Sequence, residues 1–328
     1  MGAPSVKGPE GGAGTVVVGA LDAAVVVVDD VLPEEVGVGD PPELQAASTR
    51  GTAMTTTTVN PNCSRRPGFP LIAASIAATG GGYGAPMATS RDITYEADGR
   101  TMIGTLALPD GDGGGGDLRP GVLVCHEGPG LDDHARDRAA RIADELGYVA
   151  FALDYHGGGK PISDREQMMG RIGELRSDPA RAFAVGTAGL DILRAEPRTD
   201  PARLAAIGFC FGGTLSLELA RGGADLKAVV GFHSGLSTVH PEDARNITGK
   251  VLALIGADDP MVHAEERRAF EDEMRAGGVD WQLHVYGGAV HSFTNKAASP
   301  DTFPGIAYHE ATDRRSWQAM VDLFDEVF

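Results

Sequence analysis

Three short stretches carry residue types that could do covalent chemistry, and their order along the chain matters as much as their identity. The first is Gly208-Phe209-Cys210-Phe211-Gly212-Gly213, which follows the apolar run Leu204 to Ile207 and leads straight into a helical pattern from Thr214 to Arg221. A nucleophile on a tight strand-to-helix turn needs small neighbours, because strand and helix pass close to each other there. At a helix start the Cys210 thiol feels the positive end of the dipole, and the Phe211 N–H is free to bind a developing oxyanion. The commoner fate of a free cysteine is burial in a core, but glycines two residues to either side argue against it here. A free thiol has a pKa of about 8.5, so a base and an orienting acid should follow.

The second and third stretches supply them. Gly256-Ala257-Asp258-Asp259-Pro260 places two carboxylates just past the run Val251 to Ile255, and Tyr286-Gly287-Gly288-Ala289-Val290-His291-Ser292-Phe293 sets a histidine in the turn after the last expected strand. Nucleophile, acid, histidine is the order of a serine-hydrolase-like triad on an α/β sheet. Spacing leaves Asp258 and Asp259 open, with the other as a solvated turn or a cap for the helix expected from Ala264. A fourth loop, Cys125-His126-Glu127-Gly128-Pro129-Gly130, follows the first buried run. The Gly128 N–H is the expected second oxyanion donor, and Cys125 is read as core. Glu127 is a carboxylate able to contend with His291 for the thiol proton and so keep the cysteine quiet until substrate displaces it.

These residues need a scaffold that brings distant loops to one edge. Apolar runs at 121–125, 149–154, 204–208, 228–232, 251–255 and 282–286 alternate with helical spacing at 136–146, 179–194, 211–221, 264–276 and 312–328. That alternation predicts a mainly parallel sheet covered on both faces, with the site at the carboxyl ends of the strands. Asp98-Gly99, between residues 93–96 and 101–108, predicts an antiparallel hairpin ahead of it.

Taken together, the residues resemble the dienelactone hydrolase family over about residues 90–328. The shared marks are His126-Glu127 after the first buried strand, the Gly-x-Cys-x-Gly elbow at 208–212, Gly-x-x-Asp-Pro at 256–260 and His-x-Phe at 291–293. The resemblance implies the α/β-hydrolase fold, with Cys210 as nucleophile, Asp259 rather than Asp258 as the acid, His291 as base and Glu127 as regulator of the thiol. It further implies hydrolysis of an ester or lactone, dienelactone-like, through a thioester, with no cofactor. Family lactonases hold the substrate carboxylate with arginines; by region the candidates are Arg136, Arg138 and Arg171. The pocket walls are expected from Tyr155-His156-Gly157 and Phe232 to Leu236, with Tyr155 and His233 foremost.

Composition narrows the partners. A net charge of −18 over 328 residues disfavours nucleic acid and anionic membrane. No run approaches the roughly 18 apolar residues of a membrane span. Three cysteines are too few for a disulfide framework, and no metal-ligand cluster is apparent. The expectation is a soluble cytoplasmic monomer acting on a small molecule. Residues 1–86 are rich in Gly, Ala, Val, Thr and Pro and poor in aromatics, and are expected to be a disordered or non-native extension. Ser64-Arg65-Arg66 within it faintly resembles a twin-arginine export signal. Two other classes compete with an enzyme: a catalytically silent binding protein on the same fold, and a thiol redox sensor.

Overall fold

A computed structural model describes residues 88–111 and 118–328. The N-terminal extension with its twin-arginine-like segment, and most of the Gly-rich loop 111–116, lie outside the described residues.

The hairpin forms as its turn residues demand: β1 (Thr89–Ala97) and β2 (Arg100–Leu108) pair antiparallel, and Asp98 and Gly99 between them both have positive φ, 54° and 65°. Two left-handed residues make the turn whose twist suits a hairpin. Strands β3 (Arg119–Cys125), β4 (Val149–Leu153), β5 (Thr199–Phe209), β6 (Ala228–Phe232), β7 (Lys250–Gly256) and β8 (Trp281–Tyr286) complete one eight-stranded sheet in the order β1-β2-β4-β3-β5-β6-β7-β8. From β4 to β8 every neighbouring pair is parallel. This is the α/β-hydrolase fold.

The central strands are apolar on both sides, and their alternation divides the core in two. Leu123, Phe151, Leu204, Ala206 and Val251 point to one face, against α3 (Pro179–Ala195), α4 (Phe211–Arg221) and α5 (Ala264–Gly277). Val122, Ala150, Ala205, Ile207 and Leu252 point to the other, against α1 (Asp133–Leu146) and α6 (Glu310–Val327). Burial on both faces is what a parallel sheet requires, and explains why its strands read as near-continuous apolar runs. No helix among the described residues is long and apolar enough to cross a membrane.

One α-helix has no counterpart in the sequence reading. α2 (Arg165–Ser177) buries only Arg171 and Leu175, so it carries no apolar stripe to find. Polar anchors hold it instead: the Asp164 carboxylate accepts the Gln167 N–H, and Arg171 donates through Nε and Nη2 to Tyr155 O.

α4 starts directly after Cys210, and its far end is fixed by a buried charge. Arg221, 1% exposed, donates to both oxygens of Glu273 at 2.7 and 2.9 Å, to Glu218 Oε1 at 2.8 Å and to Leu236 O at 2.9 Å. Its removal leaves two carboxylates without their shared cation. Arg221→Met is therefore expected to destabilise the protein by roughly 3–5 kcal/mol, as removing one partner of a buried ion pair does. Urea unfolding monitored by tryptophan fluorescence measures it, and a loss under about 1 kcal/mol would refute the anchoring role.

Candidate active site

Strand β5 runs into α4 through Cys210 alone, whose backbone sits at φ 54°, ψ −122°. A side chain rarely occupies that region without tertiary compulsion. The compulsion is close packing. A Cβ on Gly208 would lie 2.1 Å from Gly212 O, and one on Gly212 would lie 2.3 Å from Cys125 O and His126 O. These are backbone atoms with no room to yield, so only glycine lets β5, α4 and β3 meet. The Phe211 N–H, first in its helix, has no intrahelical acceptor.

The structure brings Asp259 and His291 together and sets Cys210 beside them. Asp259 Oδ2 accepts from His291 Nδ1 at 2.7 Å, and Oδ1 accepts the Met261 N–H at 2.8 Å. Asp259 is buried and Asp258 exposed, so the pair that spacing left open is separated by position. Neither caps the following helix, which has His263 in the cap position. His291 Nε2 is buried next to the Cys210 sulfur, without a well-formed hydrogen bond. Burial alone would push the imidazole pKa down. The neighbouring Cys210 and the hydrogen bond to Asp259 outweigh it and push the pKa up to about 10.

The loop from Cys125 to Gly130, expected to supply an oxyanion donor, is pinned by two buried side chains. The Tyr155 hydroxyl reaches His126 O at 2.7 Å and Glu127 O at 3.1 Å, and His156 Nε2 donates to Gly128 O at 2.7 Å. Tyr155 and His233 were expected as pocket walls, and the structure corrects this: both are fully buried, 0% exposed, and act as supports under the loops. The arginines expected to hold a substrate carboxylate are also engaged elsewhere. Arg138 is buried against Asp313 and Thr294 O, Arg171 against Tyr155 O and Asp98, and Arg136 donates to Gly159 O. Arg138 and Arg171 are thereby committed to the scaffold, whereas Arg136 is half-buried and makes that one bond.

Glu127 is 6% exposed, and its oxygens accept from the Ser292 hydroxyl at 2.7 Å and from the Asn295 amide. Among the described residues no hydrogen bond joins it to Cys210. Burial pushes its carboxyl pKa up, against the pull of Ser292 and Asn295. Sequence reasoning missed Ser292, Asn295 and Thr294, although all three follow His291 directly, because short polar residues in a loop carry no periodic signal.

Comparison with known proteins agrees with this architecture. The profile of the Dienelactone hydrolase family matches residues 104–328. Protein usf of Aquifex pyrophilus is 30% identical over 240 residues, covering 71% of this chain and 97% of that protein. A Yersinia pestis protein provisionally named a carboxymethylenebutenolidase is 27% identical, covering 72% of this chain and 87% of its own. Among solved structures, one named m3DLH shares 48% identity at a TM-score of 0.70, covering 75% of this chain and all of that one. A dienelactone hydrolase-like promiscuous phosphotriesterase, P91, from metagenomic libraries shares 42% at 0.68, covering 74% and 99%.

The electrostatic coupling has a direct readout. Asp259→Asn keeps the shape and removes the charge, so the His291 midpoint, followed by NMR of its ring protons, is expected to fall well below about 10. A midpoint that stays where it was would refute the action of Asp259 on His291.

Proposed function

The chain belongs to the dienelactone hydrolase family, and from that premise we propose that it hydrolyses a small ester or lactone through a thioester on Cys210. Family membership supports an ester or lactone hydrolase; the observation that supports a cysteine mechanism is the Asp259–His291 hydrogen bond ending beside a thiol held at positive φ.

His291 Nε2 takes the Cys210 proton, and Asp259 holds the imidazolium that results. The thiolate attacks the substrate carbonyl, and the amides of Gly128 and Phe211 hold the oxyanion. Collapse breaks the C–O bond; the departing alkoxide takes the proton from His291. Water, deprotonated by the same nitrogen, then cleaves the thioester and returns the thiol. In a lactone the alcohol stays tethered to the acyl group, and its alkoxide can help to regenerate the base. Glu127 regulates the thiol only if its carboxylate leaves Ser292 and Asn295, which in the present arrangement hold both its oxygens.

A second reading has its own support in the 42% identity to a promiscuous phosphotriesterase. The same thiolate and amide pair suit a phosphoryl centre, where an S–P bond forms as an aryloxide leaves. The redox-sensor reading is weaker. Its resolving thiol within the described residues would be Cys125, which is fully buried and whose pKa burial pushes up to about 12.

Hydrolysis of p-nitrophenyl acetate, a dienelactone and diethyl p-nitrophenyl phosphate by the full chain tests these readings. Cys210→Ala and His291→Ala are each expected to lower kcat by about 10⁴-fold or more on every substrate that the wild type turns over, as loss of a nucleophile or its base does. Phosphotriester turnover would support the second reading alongside the first, and ester turnover without dienelactone turnover would narrow the substrate. Activity that survives Cys210→Ala would overturn the mechanism.

A further inference from the structure

Four non-glycine residues among those described have positive φ, and three of them, Cys210, His233 and Ser292, cluster at this site. The elbow accounts for Cys210, and Ser292 holds Glu127. His233, at φ 40° just past β6, has no part in the mechanism above, yet it is fully buried and touches both proposed reacting partners. Its Nδ1 accepts the Cys210 N–H at 3.2 Å, and its ring packs edge-on against His291, with centroids 5.2 Å apart and planes at 64°. The Cys210 N–H is already satisfied by Phe232 O at 3.0 Å, so the amide does not require an imidazole as well.

The donors around His233 fix its protonation. A backbone N–H can only donate, so Nδ1 is a bare lone pair and the ring proton sits on Nε2, which donates to Thr294 Oγ1 at 2.8 Å. An arginine also only donates. His134 Nε2, 3.4 Å from Arg138 Nε, is therefore bare too, and it accepts the Thr294 hydroxyl proton at 3.2 Å. That leaves the His134 proton on Nδ1, facing Glu127 Oε2 at 4.0 Å. Arg138 closes the row through Asp313 Oδ1 and Thr294 O. Every hydrogen in the row thus points away from Cys210 until Arg138 turns it.

We propose that His233 is a positioning residue, a neutral imidazole locked in its Nε2–H form, which fixes the Cys210 backbone on one side and the His291 ring on the other and so sets the sulfur-to-imidazole approach. The proposal rests on Cys210 and His291 as nucleophile and base. Neutrality is needed because a charged ring here would repel the imidazolium that His291 becomes. The groups facing His233 favour it: burial, His291, His134 and Arg138 all hold its pKa well below the ordinary histidine range, and Glu127, 3.9 Å from Nδ1, is the one neighbouring carboxylate. The strained backbone is the cost of placing a ring there, and strain kept beside reacting groups marks a position that function requires.

The test uses the full chain with ¹⁵N-labelled histidine. In the wild type the His233 ring is expected to remain in the neutral Nε2–H form from about pH 5 to about 9, across the range where an ordinary histidine titrates. Thr294→Val removes the hydroxyl at nearly constant volume and is expected to lower kcat about ten- to a hundredfold, the usual cost of a small misplacement, with KM nearly unchanged. Thr294→Ser should restore kcat. A His233 proton on Nδ1, or titration of the ring in that range, would overturn the proposal without any variant. So would a folded Thr294→Val protein with wild-type kcat in which Cys210 is still essential. Full activity in Cys210→Ala would instead overturn the thioester mechanism on which the proposal rests.

Discussion

The site depends on one backbone turn that a cysteine does not adopt unaided. Cys210 at positive φ is held between a strand and a helix that meet only because positions 208 and 212 lack side chains. Relax that turn and the thiol swings away from His291, and the Phe211 amide loses its aim. The rest of the molecule bears on keeping it closed: β5 between β3 and β6, α4 anchored at its far end by Arg221, and the loop after β3 braced by Tyr155 and His156.

A second constraint is the number of polar groups placed out of water around that turn. Glu127, Asp259, His126, His134, His156, His233 and His291 are all buried or nearly so. Buried polar groups cost stability unless hydrogen-bonded, and the donors here are assigned so that most are. Among the ring nitrogens left without partners, His291 Nε2 is the one set beside the thiol.

Much of this was legible in the sequence, and the limits of the reading follow from its physics. Strands buried on both faces announce themselves as apolar runs, and the strongest helices as periodic ones, so α3 to α6 and the carboxyl ends of the strands fall close to their expected bounds, while β1 and β5 begin well before the residues expected at 93 and 204. Glycines at 208 and 212 point to a turn because only close approach explains them. α2 stayed hidden because Arg171 and Leu175 are all that it buries. Asp258 and Asp259 looked equivalent because adjacent residues differ only in which way the chain turns them, and that is decided by tertiary contacts. Arg136, Arg138 and Arg171 looked like ligands for a substrate carboxylate for a similar reason: a sequence shows a cation near a loop, but not the carboxylate or carbonyl already holding it. Thr294 had no signal at all, and His233 read only as a pocket wall, since their meaning lies in a hydrogen-bond direction.

Trapping tests the proposed thioester most directly. p-Nitrophenyl trimethylacetate carries a bulky acyl group that slows deacylation, so the full chain quenched in acid during turnover and mapped by mass spectrometry should carry one trimethylacetyl group, on the peptide containing Cys210. Turnover of that ester with the Cys210 peptide unmodified, or with the acyl group on another residue, would contradict a thioester mechanism at this site.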